Sequence, residues 1–187
     1  MSLLDEEKLF YERFNALHRD PRLLSLLTAF GIELFRRSSV LEGFNLFLTA
    51  HAFNGGRCVE IGTCKGLTAV CLARHFREVI SIDVVPDDDR EKVASHLGVS
   101  NVRFVTVKDN AEKASVIQGL DFDAAYVDGD HARDTESDFA LVESCGQVLF
   151  HEWWPAQPAV MALVDRLRGK GSVVTRGKLA LWRTNKR

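Results

Sequence analysis

Proline and cysteine are scarce, each occurring four times in 187 residues. The cysteines are Cys58, Cys64, Cys71 and Cys145. None forms a Cys-x-x-Cys pair, so neither a zinc knuckle nor a redox dithiol is signalled, and a disulfide scaffold is excluded. No sign of charge dominates either. Lys plus Arg total 24 against 26 for Asp plus Glu, a net charge of −2. That balance argues against a nucleic-acid binder, whose affinity rests on a large basic surface. Long hydrophobic runs are also missing. The densest stretch, Leu23 to Phe35, is broken by Ser25, Thr28, Gly31 and Glu33, whereas a membrane helix needs roughly 18 apolar residues in a row. Asp5, Glu6, Glu7 and Lys8 interrupt any secretory pattern, so a cytoplasmic location with reduced thiols is expected. What is present, 46% hydrophobic and 27% charged residues, suits a folded chain with a sizeable core.

Two styles of patterning meet near Asn54-Gly55-Gly56. Before it the period is helical: Phe10, Phe14 and Leu17, then Leu23, Leu27, Phe30 and Leu34, then Val40, Phe44, Phe47 and His51 recur at three- and four-residue steps. After it, short apolar runs (58–61, 79–82, 102–107, 122–127 and 148–150) alternate with helical segments at about 66–76, 87–97, 110–118, 132–144 and 157–168. Continuous apolar strands alternating with helices are the mark of a parallel sheet covered on both faces. Ser172 to Thr175 and Leu179 to Arg183, joined by a short Arg-Gly-Lys turn, predict an antiparallel hairpin. The expectation is an α/β sheet of seven strands over 55–187, preceded by a helical extension over 1–54 that serves as a lid or an oligomerisation surface. In such sheets ligands bind beyond the carboxyl ends of the strands.

The first run leads into Glu60-Ile61-Gly62-Thr63-Cys64-Lys65-Gly66. Two glycines four apart between strand and helix permit a tight turn and close ligand approach. Cysteine at 64 departs from the dinucleotide fingerprint, and the ending departs from a P-loop. The second run ends in Asp83, 21 residues beyond Gly62. It is placed to accept ribose hydroxyls, or else to cap a helix ahead of Pro86 and Asp87-Asp88-Asp89. Those three aspartates read as a solvated, dipole-complementing run. The fourth run ends in Asp128-Gly129-Asp130-His131 and the fifth in Phe150-His151-Glu152-Trp153-Trp154. Both are polar clusters at one sheet edge. Trp153 and Trp154 are candidates to wall an acceptor pocket, with one of them expected in the core.

Glu-x-Gly-x-x-x-Gly, followed by an acidic end to the second strand and a terminal hairpin, resembles the class I S-adenosylmethionine-dependent methyltransferases over residues 56–184. The resemblance implies a Rossmann-like sheet and S-adenosyl-L-methionine as cofactor. Glu60 would orient the turn or contact the cofactor's amino group through water. Gly62 and Gly66 would line the methionine portion with Thr63 between them, Asp83 would hold the ribose, and Asp109 and Asn110 would border the adenine. Asp-Gly-Asp-His with a later Phe-His-acid-Trp is similar to a bacterial subgroup acting on small molecules and sugars. That subgroup usually has aspartate where this chain has Glu152, and often an aromatic where it has Arg133. Related metal-dependent O-methyltransferases place acidic ligands at these strand ends, which makes Asp128 and Glu152, beside His151, candidate ligands for a divalent cation such as Mg. Without metal, His151 or His131 is the expected general base beside Asp128. The expected partners are a small-molecule acceptor and a second copy of the chain docked through the N-terminal helices. Two other readings stand beside this one: a non-catalytic S-adenosylmethionine-binding domain, and a nicotinamide-dependent oxidoreductase, which Cys64 disfavours.

Overall fold

The computed structural model describes residues 43–185, together with Glu12. The helical stripes expected before residue 40 lie outside the described residues. Of the third stripe, residues 43–50 are helical (α1). The chain then alternates β1 (Gly55–Ile61), α2 (Leu67–Leu72), β2 (Phe76–Asp83), α3 (Arg90–His96), β3 (Val102–Thr106), α4 (Asn110–Gln118) and β4 (Ala124–Val127). It continues through α5 (Thr135–Val142), β5 (Gln147–Phe150), α6 (Pro158–Leu167), β6 (Gly171–Arg176) and β7 (Leu179–Thr184). The strands form one seven-stranded sheet in the order β3-β2-β1-β4-β5-β7-β6. β1 to β5 pair in parallel and β7 is antiparallel to both β5 and β6. The α/β Rossmann-like architecture with a C-terminal hairpin is the expected one.

Strand pleating explains the continuous apolar runs. Cys58, Ala124, Tyr126 and Leu149 point into one core layer, and their neighbours Val59, Ala125, Val127 and Val148 into the other. Successive residues of these central strands are buried because helices cover both faces. Phe44, Phe47 and Leu48 of α1 join the first layer with α2 and α3. Phe139, Leu163 and Val164 of α5 and α6 fill the second. The buried face of α1 packs on the sheet, with Phe44 edge-on to Tyr126 at 5.5 Å between centroids. The Arg183 guanidinium on β7 donates to the carbonyls of His51 and Ala52, so the end of α1 is tied to the far side of the sheet. Among the described residues, no helix is long and apolar enough to cross a membrane.

β1 and β2 begin three residues before their apolar runs. Gly55 pairs with Phe76 and Arg57 with Glu78, and the Arg57–Glu78 ion pair at 2.7 Å links the extra residues. Pairing with a neighbour extended these strands and took Phe76 from the expected 66–76 helix, which ends at Leu72 with a turn over 73–75. β1 and β4 lie side by side although five elements separate them in sequence, which creates the switch point where ligands bind in such sheets. There Gly62 has φ +93, and a Cβ on it would lie 2.2 Å from the Asp128 carbonyl oxygen. Gly62→Ala should therefore destabilise the fold by about 3 kcal/mol, the scale of combined backbone strain and overpacking. Urea unfolding of the variant would show this, and an unchanged midpoint would mean that the two loops part at no cost.

Candidate active site

The loop between β1 and α2 is held from β2. The Asp83 carboxylate accepts the N–H groups of Thr63 and Cys64, both at 2.9 Å through Oδ2, and of Val85 at 3.0 Å through Oδ1. Arg90 lies 3.3 Å from the same Oδ2 and donates to the Cys64 carbonyl at 2.8 Å. Asp83 therefore caps no helix: α3 starts seven residues later, with Asp89 at its N-cap. Cys64 takes φ +48, a left-handed conformation that costs a non-glycine residue about 1 kcal/mol. Bonds to its N–H and its carbonyl offset that cost. Gly66, at φ +77, starts α2, and its missing Cβ leaves room for the Phe104 ring, 3.0 Å from where that atom would be. The aspartate run after Pro86 is not wholly solvated. Asp87 binds the buried Lys65 at 2.5 Å. Partial burial would raise its carboxyl, but the hydrogen bond from Lys65 outweighs this and holds it below the usual range.

Glu60 is fully buried. Ser81 Oγ donates to its Oε2, and the Thr63 hydroxyl lies 2.7 Å from Ser81 Oγ, so Glu60 reaches the loop through two hydroxyls. Its other oxygen has no partner among the described residues. Burial pushes the Glu60 carboxyl well above the ordinary range, and the Ser81 hydrogen bond only partly offsets it.

Asp128 is the hub at the ends of β4 and β5. Its Oδ1 accepts from His151 Nδ1 at 2.8 Å and from His131 Nε2 at 3.1 Å, and its Oδ2 accepts the Tyr126 hydroxyl at 3.2 Å. Burial alone would raise this carboxyl, but the hydrogen bonds and charge of the two imidazoles hold it below the usual range. Burial and the Asp128 charge push the Tyr126 hydroxyl well up, so it stays a donor. One ligand atom each from Asp128, His131 and His151 lie within 4.8 Å of one another. Glu152 stands apart: its carboxylate binds Lys178 at 2.9 and 3.2 Å, and lies 3.8 Å from His151. Its backbone is at φ +56, an outlier of the kind that gathers at functional sites.

Two cavities open here. The first, about 380 Å³, is lined by Gly62, Asp83, Asn110, Lys113 and Gly129 among others. The second, about 630 Å³, is bounded by Phe44, Phe47, Leu67, Tyr126, His151 and Leu179, with Arg176 and Lys178 at its edge. Thr63, Cys64, Thr68 and Asp128 line both. The walls of both therefore contain sequence-predicted residues: Gly62, Thr63, Asp83, Asn110 and Asp128 in the first, Asp128, His151 and Glu152 in the second. Glu60, Gly66, Asp109 and His131 line neither. Asp109 instead caps α4 by accepting the Glu112 N–H at 2.9 Å. Trp153 packs against the core, and Trp154 lies outside with Lys178 4.3 Å above its ring, so the second cavity is walled by phenylalanines rather than tryptophans. Lys65, Thr68, Arg90, Lys113 and Lys178 are the residues that sequence reasoning missed. In the sequence they sit within ordinary charged helix and turn patterns.

The family described as "Methyltransferase domain" matches residues 59–174. No curated protein matches the sequence. Among solved structures, the chain is similar to a TDP-rhamnose 3'-O-methyltransferase of calicheamicin biosynthesis. That likeness has 14% identity and a TM-score of 0.62 over 100% of this chain and 97% of that one. It is also similar to MtNAS in complex with MTA and tNA, with 21% identity and TM-score 0.59 over 94% and 70%. A third is the N-methyltransferase NodS from Bradyrhizobium japonicum with S-adenosyl-L-homocysteine, at 15% identity and TM-score 0.53 over 82% and 88%. At these identities the likeness shows the fold.

The raised Glu60 carboxyl gives a signed prediction. As pH rises above about 4.5, the unfolded chain gives up a proton that the native state keeps, so Glu60 costs increasing stability. Glu60→Gln should remove that cost. Its stability relative to wild type, measured by urea unfolding, should grow in the variant's favour as the pH is raised above about 5; a constant difference would mean that Glu60 is ionised in the native state. Asp83→Ala removes the acceptor for two loop amides and the carboxylate beside Arg90. It should weaken S-adenosylhomocysteine binding by roughly 1–3 kcal/mol in calorimetry, and wild-type affinity would show that the loop holds its shape without the clamp.

Proposed function

The chain belongs to the methyltransferase-domain family, whose members are S-adenosylmethionine-dependent enzymes, and on that premise we propose that it methylates a hydroxyl of a small sugar-like or phenol-like molecule. The observation that carries this reading is the meeting of two cavities at Thr63, Cys64, Thr68 and Asp128, with a histidine–aspartate pair on the wall of the larger. The cradle fits the cofactor: positive-φ glycine at Gly62, a carboxylate at Asp83 with one oxygen bonded, among the described residues, only to Val85, and Asn110 in the wall. S-adenosyl-L-methionine, when bound, supplies a methyl group on a sulfonium, open to in-line displacement.

The residues on the other side have work to do. A carboxylate only accepts, so in the neutral imidazole the His151 nitrogen facing Asp128 carries the proton and Nε2 has the lone pair. That nitrogen is the general base we assign to the acceptor hydroxyl, and Asp128 stabilises the imidazolium formed when the proton moves. His131 holds Asp128 from the other side. Phe44, Phe47, Leu67 and Leu179 provide apolar walls for a ring and exclude water, while Arg176 and Lys178 offer donors at the edge. The Asp-Gly-Asp-His segment, similar to the small-molecule subgroup, supports the same acceptor class. Segment 1–54 as a lid or dimer contact belongs to this reading.

A metal-assisted variant is a second reading, favoured by the convergence of Asp128, His131 and His151. One carboxylate and two imidazoles suit zinc or a similar divalent transition metal, whereas magnesium takes oxygen donors. Glu152, committed to Lys178, does not complete an oxygen set. His151→Phe should lower turnover about 10²- to 10⁴-fold, the range for a lost general base, with S-adenosylhomocysteine affinity kept. Activity on a hydroxylated acceptor found by screening sugars and phenols should survive excess EDTA. Loss on chelation with recovery in zinc would decide for the metal, and full activity in the His151 variant would remove the base assignment.

A further inference from the structure

One buried charge in the first cavity has no role in the chemistry above. Lys113 lies one turn along α4 from Asn110, and both line the cavity. The residue is 5% exposed. Among the described residues its ammonium has one hydrogen-bond partner, the Asp138 carboxylate on α5, itself 1% exposed. An ammonium carries three donors, and buried donors are rarely left unpaired. Asp138 packs directly under Gly129, whose missing Cβ leaves room for its second oxygen, 2.7 Å from where that atom would be. The pair therefore braces the cavity wall beneath the Asp-Gly-Asp-His loop and leaves two N–H groups unspent.

The position in the cavity says what they meet. Thr63, Cys64, Thr68 and Asp128, shared with the second cavity, mark the end where the methyl group is transferred. Asn110, Lys113, Val84 and Val85 line the first cavity alone. Val84 and Val85 are 45% and 60% exposed, an apolar pair free to cover the face of a flat ring. A neutralised Lys–Asp pair suits an uncharged acceptor better than an anion. Resting on the reading that S-adenosylmethionine occupies the first cavity, we propose that Lys113, positioned by Asp138, donates a hydrogen bond to a ring nitrogen of the adenine and so sets selectivity for the purine.

Calorimetric titration with S-adenosylhomocysteine and its 1-deaza, 3-deaza and 7-deaza congeners tests this, because each replaces one ring nitrogen by C–H. Wild type should bind one congener about tenfold more weakly than the parent. Lys113→Met should bind the parent and that congener equally, both near the weakened level. Removing one charge leaves its buried partner unpaired, so Lys113→Met combined with Asp138→Asn, which removes both charges, is titrated alongside and checked by thermal melting. A wild type indifferent to all three replacements, or folded Lys113 variants that keep the wild-type preference, would overturn the role of Lys113 while leaving the cavity assignment intact. Failure of wild type to bind S-adenosylhomocysteine at all would overturn the cavity assignment, and this role with it.

Discussion

The close approach of the β1 and β4 loops governs this site. Gly62 donates its N–H to Ile82 at 2.9 Å on one side, while Asp128 donates its N–H to Ile61 at 2.8 Å on the other. With no side chain at Gly62, the Asp128 backbone sits directly against it. The two cavities share a wall because of this contact. A methyl donor held by the β1 side and an acceptor held by the β4 and β5 side would meet across it. Orientation is the main requirement of an in-line displacement, so a rigid shared wall is worth more here than any single hydrogen bond.

Holding that wall takes polar groups that the core must accommodate. Glu60, Arg90, Lys113 and Asp138 are all buried, and each is engaged with a loop or with the helix across the cavity. Arg90 Nη1 and Glu60 Oε1 lack partners among the described residues. An apolar core would be more stable than one with such groups in it. Their placement, one set behind the β1 loop and one beneath the β4 loop, shows what the cost secures: the two loops cannot shift independently of the sheet.

Much of this was legible. The runs 122–127 and 148–150 read as buried strands, and the structure forms them over Ala124–Val127 and Gln147–Phe150, while each of the two polar clusters stood out at a strand end. The Gly62 and Asp83 positions carried their chemistry in residue type and spacing. The sequence was silent where charge was misleading. Asp87 looked like part of a solvated run, yet it folds back on Lys65. Arg90 and Lys113 sit on helices whose patterns read as surface, and Cys64 took a glycine conformation that its identity argues against. Glu152 stood beside His151 in sequence and so invited pairing with Asp128. A left-handed backbone at residue 152 and the nearby Lys178 gave its carboxylate a different partner.

Periodicity and residue type determined, on their own, the alternation of strands and helices, the terminal hairpin and the residues at the strand ends. These follow from local sterics and from which face of an element must be dry. Strand order, the neighbourhood of β1 and β4, and the choice of partner for each buried charge were decided only by tertiary structure. The physical reason is that a charged side chain on a helix looks the same in sequence whether it faces water or a carboxylate 25 residues away, as Lys113 faces Asp138. Only packing of the helices onto the sheet selects between the two.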